Sequence, residues 1–171
     1  IISALTAARE NARTVREVIS SEAWEHVNEF YHFVRDASFN DSAVRSPSDF
    51  FDQVKRYGHL FNGVTDATMS HGVGWNFLNV GRMLERADKT SRILDVKYFT
   101  LLPKASDVGT MIDDLQWSAV LRSVSGFEMY RKRYRIVSIE RVVDVLLRDR
   151  AFPRAVQCCL IEADKSRHAS T

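Results

Sequence analysis

The sequence predicts an all-α protein, a multi-helix bundle of about six to seven helices, on three observations. Apolar residues recur at helical spacing through nearly the whole chain. The three prolines and seven glycines fall mostly between these runs and are too few for an all-β protein full of tight turns. No alternating apolar and polar stretch competes with the helical pattern. With 171 residues, 45% of them hydrophobic and 27% charged, the chain is long enough for one domain with a real core, so a single unit over residues 1–171 is expected.

The first helix is read over Ser3 to Ile19, where Leu5, Ala8, Ala12, Val15 and Ile19 form a stripe with Arg9, Asn11 and Arg16 on its rims. Ser20 and Ser21 offer an N-cap for a second helix, whose stripe is Trp24, Val27, Tyr31 and Val34. Asp36 to Arg45 is polar and aperiodic, which marks a loop, and Ser46-Pro47 is a cap followed by proline at the first helical position. The third helix carries Phe50, Phe51, Val54, Tyr57, Leu60, Phe61 and Val64. Gly58 and Gly63 lie inside it, each costing about 1 kcal/mol relative to alanine, which points to close packing or a kink.

Gly72 and Gly74 precede a long fourth helix from Trp75 to about Tyr98, and Pro103 closes that region. A fifth helix, capped by Asp107 or Thr110, reaches Tyr134 with Trp117, Val120, Leu121, Val124 and Phe127 inward. Ser138 caps a sixth, with Ile139, Val142, Val143, Leu146 and Leu147. A seventh begins near Pro153 and uses Val156, Cys159, Leu160 and Ala163.

The long helix is the centre of interest. Its apolar stripe is Phe77, Val80, Leu84, Ala87, Ser91, Leu94 and Tyr98, and its other face carries Arg82, Glu85, Arg86, Lys89 and Arg92. Leu78 and Ile93 project into the charged arc, which implies that other protein covers part of it, so that the charges there need partners. On the fifth helix Glu128 falls in the apolar arc and Arg131 follows three residues later. These positions suggest a buried network joining Glu85 and Arg86 to Glu128 and Arg131, with Arg82 and Asp88 beside it and Arg9 or Arg16 contributed by the first helix. The bland alternative is a set of ion pairs that only fixes helix register.

Other chemistry has less to stand on. Glu29-Phe30-Tyr31-His32 has the Glu-x-x-His spacing of di-iron bundles, but no second copy exists and Glu29 points away from the stripe, so no metal and no cofactor are expected. His59 and His71 stand alone near segment ends. Tyr130-Arg-Lys-Arg-Tyr-Arg135 mixes bases with aromatics, yet cations suit a helix C-terminus, and a net charge of +2 gives no reason to expect nucleic acid. There is no phosphate loop, Cys-x-x-Cys pair or nucleophile elbow. Cys158 and Cys159 are adjacent on a helix, where their side chains diverge, which fits a reduced, cytoplasmic protein. No apolar run is long enough for a membrane span.

Gly81-Arg-Met-Leu-Glu-Arg-Ala-Asp88 resembles the signature of the alpha-E domain, a bacterial all-helical family of unknown function named for its Glu-Arg motif. Ala8-Arg-Glu-Asn-Ala-Arg13, Gly63-Val-Thr-Asp-Ala-Thr-Met69, Leu121-Arg-Ser-Val-Ser-Gly-Phe-Glu128 and Phe152-Pro-Arg-Ala-Val156 support the likeness in the family's order. The motif carries over as Glu85 and Arg86, with Asp88 beside it. The resemblance implies an N-terminal segment, with an earlier Glu-Arg copy, ahead of Ile1. It also implies a role as partner or accessory subunit of a circularly permuted ATP-grasp ligase-like protein, with a transglutaminase-like peptidase nearby, in a system that forms and reverses amide or peptide bonds. Two alternatives stand beside this: an enzyme using Glu85 as acid or base with Arg82, Arg86 or Arg131 holding a carboxylate, and a purely structural bundle.

Overall fold

A computed structural model describes residues 1–40, 42–100 and 110–169, without the side chains of Ser42 and Thr100. The described residues form nine helices and no strand: α1 (Ile2–Thr14), α2 (Ser21–Phe39), α3 (Ser42–Arg45), α4 (Pro47–Thr68), α5 (Val73–Thr100), α6 (Met111–Ser123), α7 (Phe127–Arg133), α8 (Ile139–Arg148) and α9 (Val156–His168). The expected six to seven is an undercount with two local causes. Part of the stretch expected to be a loop, Asp36 to Arg45, extends α2 to Phe39 and then makes the short α3. The expected fifth helix is two helices.

That break has a specific chemistry. Ser125 has a positive φ of 55°, its N–H donates to the Arg122 carbonyl at 2.9 Å, and the Gly126 N–H donates to Leu121 at 2.7 Å. This is a Schellman ending, which satisfies the last carbonyls of α6 and reverses the chain. Gly126 is needed there, since a Cβ on it would meet the Phe152 ring at 2.9 Å. Gly58 and Gly63 differ from expectation in the other direction. Nothing lies within 4 Å of a Cβ at either, so close packing does not account for them.

Caps follow the serine and threonine signals. Ser20 accepts from the Ala23 N–H at 3.2 Å, Thr110 from Asp113 at 3.4 Å and Ser138 from Arg141 at 3.4 Å. Ser46 makes no side-chain cap, and Pro47 takes the first-turn position. The other proposed cap, Asp107, and the proposed closing residue Pro103 lie outside the described residues.

The chain divides into two compact units, Ile1–Trp75 and Asn76–Thr171. In the first, α2 and α4 pack through aromatics: the Phe30 ring stacks on Tyr57 at 4.9 Å, and Phe33 lies 5.1 Å from Tyr57 and 5.9 Å from Phe50. His26 is buried against them, with Nε2 2.8 Å from the Tyr57 carbonyl oxygen. In the second unit Trp117, Val120, Leu121, Val124, Tyr130, Val142, Val145, Leu146, Phe152 and Ala155 form the main core. A smaller cluster joins Met83 and Ala87 of α5 to Cys159 and Ala163 of α9.

Candidate functional site

The helix α5 is rotated by about one residue from its hydrophobic pattern. Within the second unit it buries Asn76, Asn79, Met83, Ala87, Thr90 and Lys97, and exposes Phe77, Leu84, Val96, Tyr98 and Phe99. The expected inward stripe therefore survives only at its small or half-buried members, Val80, Ala87 and Leu94.

Such an arrangement is tolerable only if each inward polar group is met. Asn79 donates to Ser166 Oγ at 2.7 Å, and Thr90 donates to the Arg154 carbonyl at 2.8 Å. Lys97 Nζ lies 2.7 Å from Asp113 Oδ1 and 2.7 Å from Gln116 Oε1, with the Trp117 ring centroid 5.0 Å away. The Lys97 and Asp113 side chains are 0% and 2% exposed, so a fully desolvated ion pair joins α5 to α6. The sequence pattern did not single out Asn79, Thr90, Lys97 or Asp113. Lys97 stands in an apolar run beside Val96 and Tyr98, a signal that either side of the helix could have been the inner one.

The Glu-Arg pair is divided. Arg86 is half-buried, and its Nη1 donates to the Pro153 carbonyl at 3.2 Å. The same carbonyl accepts from the buried Cys159 thiol at 3.4 Å, and burial pushes that thiol above its ordinary range, against the lowering pull of Arg86. Arg86 and Thr90, one helical turn apart, thus pin the Pro153-Arg154 backbone to α5. Glu85 is exposed, and among the described residues it makes no ion pair or hydrogen bond.

The remaining candidates have separate local partners. Arg82 Nη2 donates to Asn79 Oδ1 at 2.6 Å. Asp88 receives Arg92 Nε at 2.8 Å and lies 3.6 Å from Lys89, and the hydrogen bond from Arg92 holds its carboxyl below the usual range. Glu128 is exposed in the first turn of α7, and the exposed Arg131 has its guanidinium 5.7 Å from the Phe127 ring. The break at Ser125 resets the helical phase, which is why Glu128 does not share the arc of Trp117. In the first unit Arg9 donates to Asn28 Oδ1 at 2.6 Å, and the Arg16 guanidinium lies 5.0 Å from the Trp24 ring. Within the second unit, Arg86, Asp88, Glu128 and Arg131 have no hydrogen bond or ion pair with one another among the described residues.

A well-tied loop frames the site. Asp149 Oδ1 accepts from the N–H groups of Ala151 at 2.7 Å and Phe152 at 3.0 Å, and Oδ2 lies 2.6 Å from Arg133. Burial raises its carboxyl, but the two backbone donors and Arg133 outweigh that and hold it below the usual range. At the C-terminal half of the outward α5 face, Ser91, Leu94, Asp95 and Tyr98 border a groove of about 260 Å³ with Trp117, Val143 and Leu147. The buried Trp117 indole N–H has no acceptor among the described residues.

Among the described residues no group of three or more His, Cys, Asp or Glu side chains could hold a metal ion. Glu29 is exposed and accepts from the Tyr57 hydroxyl at 3.3 Å, and His32 is exposed. His71 stacks on Trp75 at 4.1 Å. Both cysteines are free. No helix among the described residues is long and apolar enough to cross a membrane.

Residues 1–169 match the Alpha-E family model, described as a predicted alpha-helical domain with a conserved ER motif. Neither the comparison with curated proteins nor that with solved structures gave a match.

Proposed function

The chain belongs to the alpha-E family, and on that premise we propose that it is a docking subunit for an ATP-grasp-type carboxylate-amine ligase rather than a catalyst in its own right. The observation that carries the reading is the outward face of α5. Phe77, Leu84 and Tyr98, separated by one and two seven-residue steps with Ser91 between the last two, are 68%, 49% and 65% exposed. With Val96 and Phe99 they leave large apolar side chains in solvent on a helix that buries Asn76, Asn79, Thr90 and Lys97. Contiguous exposed apolar surface rimmed by charge marks an interaction site. Here Asp88, Lys89, Arg92 and Asp95 supply the rim, and the groove beside Trp117 offers a pocket for an anchoring side chain. The choice of an ATP-grasp-type partner rests on the resemblance of the Gly81–Asp88 segment and its supporting stretches.

The stand-alone enzyme reading is the weaker one, because Glu85 lies on an exposed helix surface while Arg82 and Arg86 are engaged elsewhere. The test is co-purification with the ligase, followed by ATP turnover with and without this chain. A stable complex and faster turnover are expected. Turnover and complex formation both indifferent to the chain would refute the reading.

A further inference from the structure

We infer that Arg86 and Arg154 form a binding site for a doubly charged oxyanion of the phosphate class, independent of the docking reading above. Arg154 is half-buried, and its guanidinium makes no hydrogen bond or ion pair among the described residues. A group with five donors, partly withdrawn from water and left without a protein acceptor, is costly. The cost is increased by its company, since Arg86 is a like charge beside it. Both burial and Arg86 disfavour the Arg154 cation.

The backbone ties Arg86 to the root of the Arg154 side chain. Arg86 Nη1 bonds the Pro153 carbonyl at 3.2 Å, and Thr90, 2% exposed, bonds the carbonyl of Arg154 itself at 2.8 Å. This pinning fixes the root of the Arg154 side chain against the turn of α5 that carries Arg86. Two acids of the flanking segments have cations of their own: Asp149 has Arg133 at 2.6 Å and Glu162 has Lys165 at 2.7 Å. The following helix, α9, adds to the same sign of field, since its cap is Ala155 with no side-chain bond and its first turn has no acid. Two neighbouring cations with no ion pair among the described residues match a phosphate dianion, which can accept from both.

The site is tested by titrating inorganic phosphate into the protein at constant ionic strength, with acetate as a monovalent control and ADP as a second source of phosphate oxygens. Saturable binding of one phosphate is expected, weaker for acetate. Arg154→Gln should weaken it by roughly 10- to 100-fold, the value of one charge-assisted contact. The variant's melting temperature without phosphate should be unchanged or higher, because its removal relieves repulsion and breaks no hydrogen bond. Tighter binding of ADP than of phosphate would identify a nucleotide as the source, and equal binding would identify the free anion. No saturable binding by the parent chain, or equal affinity in Arg154→Gln, would overturn the site.

Discussion

Lys97 and Asp113 meet at 2.7 Å with both side chains sealed from solvent, while Val96, Tyr98 and Phe99 on either side of that lysine face outward. A helix that places its ammonium inside and its aromatics outside is held by specific partners. Lys97→Met should therefore cost about 3–5 kcal/mol, because it leaves the Asp113 carboxylate buried without its cation. Converting Asp113 to leucine in the same chain should recover most of that loss. Chemical denaturation of the two variants checks both expectations.

The division of the Glu-Arg pair leads to a second prediction. Thr90→Val removes the buried hydroxyl that holds the Arg154 carbonyl and should destabilise by about 1–3 kcal/mol. Glu85→Gln alters an exposed side chain and should change stability by less than about 0.5 kcal/mol. Thermal melts of the pair compare the inner and outer faces of α5 directly.

A pH dependence follows from Asp149. Its carboxyl is depressed in the folded chain, so its contribution is fully present above the unfolded value of about 3.9 and is lost as pH falls through the lower folded value. Asp149→Ala should cost about 1–3 kcal/mol near neutrality, through the lost bonds to Ala151, Phe152 and Arg133. Its acid-unfolding profile below that value should be flatter than the parent's. Stability measured from pH 2 to pH 7 tests the sign.

Gly126 gives a structural prediction of its own. Gly126→Val puts a branched side chain where the Phe152 ring already lies and should destabilise by about 1–3 kcal/mol, whereas Gly63→Ala, in open space within α4, should stabilise by up to about 1 kcal/mol.

What the sequence made legible was local. Helical spacing, the caps at Ser20, Thr110 and Ser138 and the inward set Trp117, Val120, Leu121 and Val124 all follow from short-range rules, and the structure agrees with them. The split at Ser125 was harder to read because a non-glycine residue takes the positive φ, with the glycine one place later. The orientation of α5 could not be read from its wheel. Hydrophobicity assigns Phe77, Leu84 and Tyr98 to the inside, but the inward side is decided by Asp113, Ser166 and the Pro153-Arg154 carbonyls, all distant in sequence. The presence of Leu78 and Ile93 beside the charges did indicate that the charged arc was partly covered, and Arg86 is indeed half-buried. The partners proposed for it, Glu128 and Arg131, lay beyond the unrecognised break.

The central claim is that the outward face of α5 is a docking surface, and the most direct measurement is the affinity of the purified ligase for the parent chain and for the Leu84→Asp/Tyr98→Asp double variant. Both residues are exposed, so the variant should melt with the parent. The account predicts binding weakened by about 10-fold or more. A folded double variant that binds the ligase as tightly as the parent would contradict it.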